Sequence, residues 1–206
     1  MNTLRIGSFI ILAIILSSVP ALASEEPTYT VLKSYDQFEL RQYEPLLVAE
    51  VRVTADFKEV GSQAFRSLFG FISEDDRPQG KIAMTAPVLQ QPLPGDEPSQ
   101  PVDKTYRFAF VMPAQYSLDD LPQPEDGDIN IRSVPSRVLA VRRYSGTWSE
   151  ALYRENEKVL LDALQTEELS PIGAPIFARY NAPFSLWFMR RNEVMIEVNM
   201  ISKDPG

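Results

Sequence analysis

The 206-residue chain contains no cysteine and no histidine. The first absence excludes disulfides, thiolate metal sites, a cysteine nucleophile and a lipidated cysteine. The second removes the commonest metal ligand and the commonest general base, and with them every Ser-His-Asp or histidine–zinc arrangement. Carboxylates, tyrosines and lysines remain for acid–base chemistry. Positive charge is also short: 20 Lys and Arg stand against 28 Asp and Glu, a net charge of −8. Nucleic acids and anionic membrane surfaces are bound through clustered Lys and Arg, so this balance argues against both. With 44% hydrophobic and 23% charged residues, the composition is that of a globular protein, one domain or two small halves around one core.

Residues 1–23 carry one charge, Arg5, then an apolar run from Ile6 to Leu16, then Ser17, Ser18, Pro20 and Ala21-Leu22-Ala23. The run is too short to span a bilayer comfortably, and its small-x-small ending fits signal-peptide cleavage. The expectation is a cleavable export signal and a mature chain from Ser24, periplasmic or secreted, with no stable membrane insertion after cleavage. The competing arrangement is an uncleaved anchor tilted across a thin membrane.

The rest alternates short β-type runs with two helical ones. Tyr29–Ser34, Phe38–Tyr43 and Leu46–Val53 are predicted strands, followed by a helix over Asp56–Ile72. Lys81–Val88 and Thr105–Met112 are predicted strands around an exposed Pro-rich loop from Leu89 to Lys104. After the acidic, Pro-rich stretch 113–128 the order recurs: strands at Ile129–Val134 and Arg137–Tyr144, then a helix capped by Thr147 or Ser149 and running to about Leu164. Further strands are expected at Pro175–Tyr180 and Glu193–Met200. Two such units can pair their sheets into one curved antiparallel sheet with a helix from each half packed on it.

Four stretches together resemble the SOUL/haem-binding-protein family: Tyr43-Glu44-Pro45, KIAMTAPV at 81–88, FVMP at 110–113 running on to LPQP at 121–124, and RRNEV at 190–194. VPSRVLAVRRYSGTW at 134–148 resembles it too, and equally resembles the related effector-binding domains. The resemblance covers essentially everything after residue 28. It implies an α+β fold over 24–206, a distorted eight-stranded antiparallel β-barrel with two helices and a two-fold pseudo-repeat of strand–strand–helix–strand–strand. It also implies a haem or free porphyrin ligand in an apolar cleft between the first helix and the loop before the last strand. Some members ligate iron through a histidine near that helix, which this chain cannot do.

The residues then suggest a site. Phe57, Val60, Ala64, Leu68 and Phe71 form one helical stripe, with Gly61, Phe65, Phe69 and Ile72 beside it, a wider apolar face than packing on a core requires. Phe65, Leu68 and Phe69 are the candidate ligand-binding residues of this helix: Phe65 and Phe69 can offer ring faces to a flat ligand at the edge of Leu68's stripe, or pack under a long loop. The opposing wall is Tyr180 to Arg191, with apolar Phe184, Leu186, Trp187, Phe188 and Met189. Arg190 and Arg191 can pair with porphyrin propionates, or answer local acids such as Glu193. Met189 and Tyr180 are the positional candidates for an axial iron ligand. Glu193 and Glu197, four apart on one strand, share a face and are expected at the surface or rim. The expected protein is a monomeric, non-catalytic carrier, buffer or scavenger of a tetrapyrrole. The alternatives are an effector-type module taking a cationic aromatic compound over Glu193 or Glu197, and a hydrolase or tetrapyrrole-modifying enzyme using Tyr and Glu.

Overall fold

The computed structural model describes residues 24–78, 80–93 and 104–199. The expected export segment (1–23), the centre of the Pro-rich loop (94–103) and Met200 lie outside the described residues. Among the described residues, no helix is long and apolar enough to cross a membrane.

Among the described residues, nine strands and two long helices follow one another. The first half holds β1 (Tyr29–Ser34), β2 (Glu39–Tyr43), β3 (Leu46–Ala55), α1 (Phe57–Ser73), β4 (Val88–Pro92) and β5 (Lys104–Val111). The second holds β6 (Asn130–Val134), β7 (Arg137–Tyr144), α2 (Glu150–Thr166), β8 (Ser170–Arg179) and β9 (Asn192–Asn199). All strands join one antiparallel sheet in the order β1-β2-β7-β9-β8-β4-β5-β3-β6. Setting the edge strand β1 aside, exchanging β2 with β6, β3 with β7, β4 with β8 and β5 with β9 reverses this order onto itself. That is the expected two-fold repeat of eight strands. The sheet is curved but open, because its edges β1 and β6 do not pair with each other.

Both helices are set by local chemistry. Asp56 Oδ1 accepts the Glu59 amide at 2.8 Å, satisfying one free N–H at the start of α1. Ser149 does the same for α2 through the Leu152 amide at 3.3 Å, so Ser149 and not Thr147 is the cap. Val60, Ala64, Leu68 and Phe71 are buried at helical spacing against β3 and β5. Tyr153, Asn156, Leu160 and Leu164 are the buried residues of α2, which lies on β7, β8 and β9. Both helices cover the same face of the sheet, and the opposite face carries a second set of buried residues, among them Tyr43, Val48, Leu139, Ile176 and Met195.

Two expected boundaries move. Residues 81–87 form no strand: the amides of Ile82 and Ala86 donate to the carbonyls of Ile72 and Glu25, and the Thr85 hydroxyl donates to the Val111 carbonyl at 2.6 Å. The strand is β4 (Val88–Pro92) instead, and its residues from Leu89 to Pro92 fall in the stretch expected as a Pro-rich loop. Pro92 is tolerated as the strand's last residue, where a missing N–H interrupts little of the ladder. β8 also starts five residues early, its N-terminal part carried past an irregularity between Ile172 and Ile176.

Candidate functional site

The helix-side face places the predicted aromatic wall in part. Leu68 is fully buried in the core under α1 and presents nothing to a ligand, which corrects its assignment as a binding residue. Phe65 is partly buried, edge-on to Phe110 at 5.5 Å, and its other side stacks on Phe69 at 5.5 Å and 12°. Phe69 is 44% exposed, so of the pair it is Phe69 that offers a free ring face.

The connection from β8 to β9 is the most apolar exposed surface among the described residues. Phe184, Leu186, Trp187, Phe188 and Met189 are 90%, 58%, 59%, 56% and 68% exposed. Single exposed apolar residues are ordinary, whereas five on one short loop mark a surface made to meet something. Trp187, Phe188 and Met189 form a single 3-10 turn, with the two rings edge-on at 5.7 Å. Arg190 holds this loop in shape: its Nε donates to the Ser185 carbonyl at 3.0 Å and its Nη2 to the Pro183 carbonyl at 2.6 Å. Its guanidinium also lies 4.3 Å above the Trp148 ring. Arg190 is therefore a strut of the loop and not a free partner for a propionate.

Arg179, which the sequence did not single out, lies between these walls. Along β8, Phe177 and Arg179 point to the helix side and Ile176, Ala178 and Tyr180 to the other, as strand alternation requires. The Arg179 guanidinium lies 4.8 Å from the Phe177 ring, 5.3 Å from Trp148 and 6.0 Å from Phe108. It passes beneath Gly61 of α1, where a Cβ would stand 3.1 Å from Nη1. Its Nη2 donates to Gln90 Oε1. No carboxylate among the described residues is paired with it, and burial lowers its pKa to about 10.

Tyr180 and Arg191 belong to the opposite face, away from α1. The Tyr180 hydroxyl donates to Glu193 Oε2 at 2.7 Å. Arg191 stacks on the Tyr180 ring at 3.6 Å and donates from Nε to Glu193 Oε1 at 3.0 Å and from Nη1 to Glu26 at 2.8 Å. Arg41 reaches both Glu193 oxygens at 3.2 Å and Glu39 at 2.8 Å. Glu193 is fully buried, not a rim carboxylate as expected, because this ring of donors replaces its water. Burial acts against the charge of Arg41, but Glu193, Tyr43 and Glu39 together outweigh it and hold the guanidinium firmly protonated. Burial, and then the charge of Glu193, push the Tyr180 hydroxyl far above the usual tyrosine range. It stays a neutral donor and is removed from the candidates for an iron ligand.

The face away from the helices also carries a cavity of about 500 Å³ lined by Leu89, Arg107, Arg132, Arg137, Ile176 and Glu197. Its cations are all answered: Arg107 and Arg132 share Glu50 at 3.5 and 2.8 Å, and Arg137 faces Glu197 at 3.7 Å. Among the described residues, no group of three or more acidic side chains is gathered to hold a metal ion.

Comparison with known proteins agrees with this architecture. The family model described as SOUL heme-binding protein matches residues 24–197. A curated relative, Heme-binding protein 2 of Mus musculus, is 25% identical over 189 residues, 85% of this chain and 90% of the relative. Among solved structures, the EcmrR C-terminal domain is similar with a TM-score of 0.62 and 11% identity, covering 79% of this chain and 97% of that one. A hydrolase from Listeria innocua follows at a TM-score of 0.54 and 11% identity, over 82% and 94%. At such identities these two likenesses speak to the fold alone.

Proposed function

This chain belongs to the SOUL heme-binding family, and on that premise we propose that it binds haem or a free tetrapyrrole in the helix-side cleft between α1 and the β8–β9 connection. It acts as an exported, monomeric carrier, buffer or scavenger and not as a catalyst. The observation that carries the reading is the exposed apolar loop Phe184–Met189, beside Trp148 on the face that also bears Phe69. A tetrapyrrole is a flat apolar body with carboxylates on one edge, and this face supplies ring surfaces together with one unanswered cation.

The donor set suits the macrocycle better than its iron. The chain has no imidazole, Tyr180 is engaged on the opposite face, and a thioether such as that of Met189 ligates haem chiefly beside a histidine. The proposal accordingly includes no axial ligand from the protein. The effector-type alternative is disfavoured by Glu193, whose charge is already taken by Arg41, Arg191 and Tyr180.

Titration of the purified protein with haemin and with a metal-free porphyrin tests the reading. Both should bind with similar affinity. Phe69→Ala and Trp187→Ala should each weaken binding about two- to tenfold, the loss of one aromatic contact. Haemin binding far tighter than metal-free porphyrin would point to iron ligation, and no binding of either would sink the proposal.

A further inference from the structure

We propose that Arg179, Gln90 and Tyr144 form a carboxylate-accepting pocket at the floor of the helix-side cleft, so that the ligand is selected by a free acid group. The proposal rests on the tetrapyrrole reading of that cleft and adds what the cleft selects for.

Three buried donors without partners meet here: Arg179 Nε, Gln90 Nε2 and the Tyr144 hydroxyl. Gln90 is 1% exposed and its carbonyl oxygen is spent on Arg179, which leaves its amide N–H groups as the free end. Tyr144 stacks on Phe177, the ring that Arg179 also covers, and the positive charge of Arg179 acts on its hydroxyl. The other unpartnered buried atoms among the described residues belong to Arg77 and Arg107, each beside its own carboxylate, Glu74 or Glu50. Only this cluster gathers free donors around a cation with no acid. Buried polar groups in native structures are paired as a rule, so a cluster short of acceptors calls for an acceptor.

The shape of the surroundings favours a planar anion on an apolar body. Guanidinium, amide and phenol donors match a carboxylate, and Phe108, Trp148 and Phe177 wall the site with rings. Arg179 and Tyr144 are the partly exposed members of the set, and Gly61 removes the side chain that would press on Arg179. β8 ends at Arg179 itself, so an acid group held there places the attached apolar body under the Phe184–Met189 loop. A half-buried cation without a counter-ion destabilises the empty protein, and a ligand carboxylate offsets that cost.

The test uses mesoporphyrin and its dimethyl ester, with binding read by quenching of tryptophan fluorescence and ligand-free stability read by thermal melts. Wild type should bind the free acid at least tenfold more tightly than the ester, the scale of a charge-assisted hydrogen bond. Gln90→Glu sets an internal carboxylate on Arg179. It should melt higher than wild type, lose about tenfold for the acid and keep its affinity for the ester. Arg179→Met should abolish the preference between acid and ester. Equal binding of acid and ester by wild type would mean the donors hold only water, and would overturn this proposal while leaving the tetrapyrrole reading standing. Gln90→Glu with undiminished affinity for the acid would overturn it as well. Failure of wild type to bind either form would sink the tetrapyrrole reading and this proposal with it.

Discussion

Glu193 offers the sharpest test of whether the charges on the face away from the helices are structural or receptive. Glu193→Gln keeps the shape and removes the charge. Arg41, with 5% of its side chain exposed, then loses its buried partner and keeps only Glu39, itself 38% exposed. Arg191 keeps only Glu26, 40% exposed. Breaking a buried pair from one side costs about 3–5 kcal/mol. The surviving rim carboxylates place this case near the lower end, at about 3 kcal/mol, which for a chain of this size lowers the melting temperature by about 6–12 °C. The double replacement Arg41→Met with Glu193→Met should lose less than Glu193→Gln, because it strands less charge. Thermal and urea melts of the variants measure both. A Glu193→Gln protein melting within about 2 °C of wild type would refute the reasoning, and would reopen Glu193 as a receptor for a cationic ligand.

Other outcomes follow from particular contacts. Leu68→Ala should cost about 2–5 kcal/mol in urea unfolding and Phe69→Ala well under about 1 kcal/mol, since the first leaves a core cavity and the second an exposed surface. Gly146 has φ +133° and a Cβ there would overlap Leu152 Cδ2, so Gly146→Ala should destabilise by more than about 1 kcal/mol in the same assay. Burial pushes the Tyr43 hydroxyl up from 10.0 to about 12, so the folded state keeps a proton that the unfolded chain releases. Stability is full below pH 10 and falls as the pH rises towards 12, by about 3 kcal/mol from this group. Absorbance titration should show buried tyrosines ionising late and together with unfolding; early ionisation with the fold intact would contradict it. Mass spectrometry of exported protein should find Ser24 as the first residue, and a retained residue 1–23 segment would favour the anchor.

What was legible in the sequence had a local cause. The helix stripes, a cap at Thr147 or Ser149 and the duplicated element order rest on spacing and neighbours; the structure keeps the stripes and the order and selects Ser149 as the cap. β4 was missed because its signal was masked: Gln90 and Gln91 are polar and Pro92 breaks the pattern, yet Gln90 is buried through a partner 89 residues away. The apolar loop stood out by composition. Arg190 and Arg191, by contrast, were read as interchangeable. In extended chain, neighbours point to opposite faces, so one stacks on Trp148 and the other on Tyr180. Arg179 carried no signal in isolation: what distinguishes it is the absence of an acid, a property of the assembled sheet.

The two-fold repeat explains why that position is special. Take the paired residues Leu89 and Ala178 as the axis between β4 and β8. The strand registers then carry Val88 onto Phe177, its partner Phe110 onto Val194, and Ala49 onto Arg142. From Ala49 and Arg142 it is the same distance along the chain to Phe57 and Glu150, the first residues of α1 and α2, and each helix has 17 residues. The axis is therefore fixed by pairing and by chain length together. On this map Gln90 falls on Arg179, and the two bond to each other across the axis. Two equivalent glutamines there would form a neutral pair, and two arginines would repel. One of each leaves a single cation in the gap between the helices, where neither half supplies an acid. Gln90→Glu changes that balance by one charge at the axis, so its stability and its acid-to-ester preference must move in opposite directions if the asymmetry exists for a ligand.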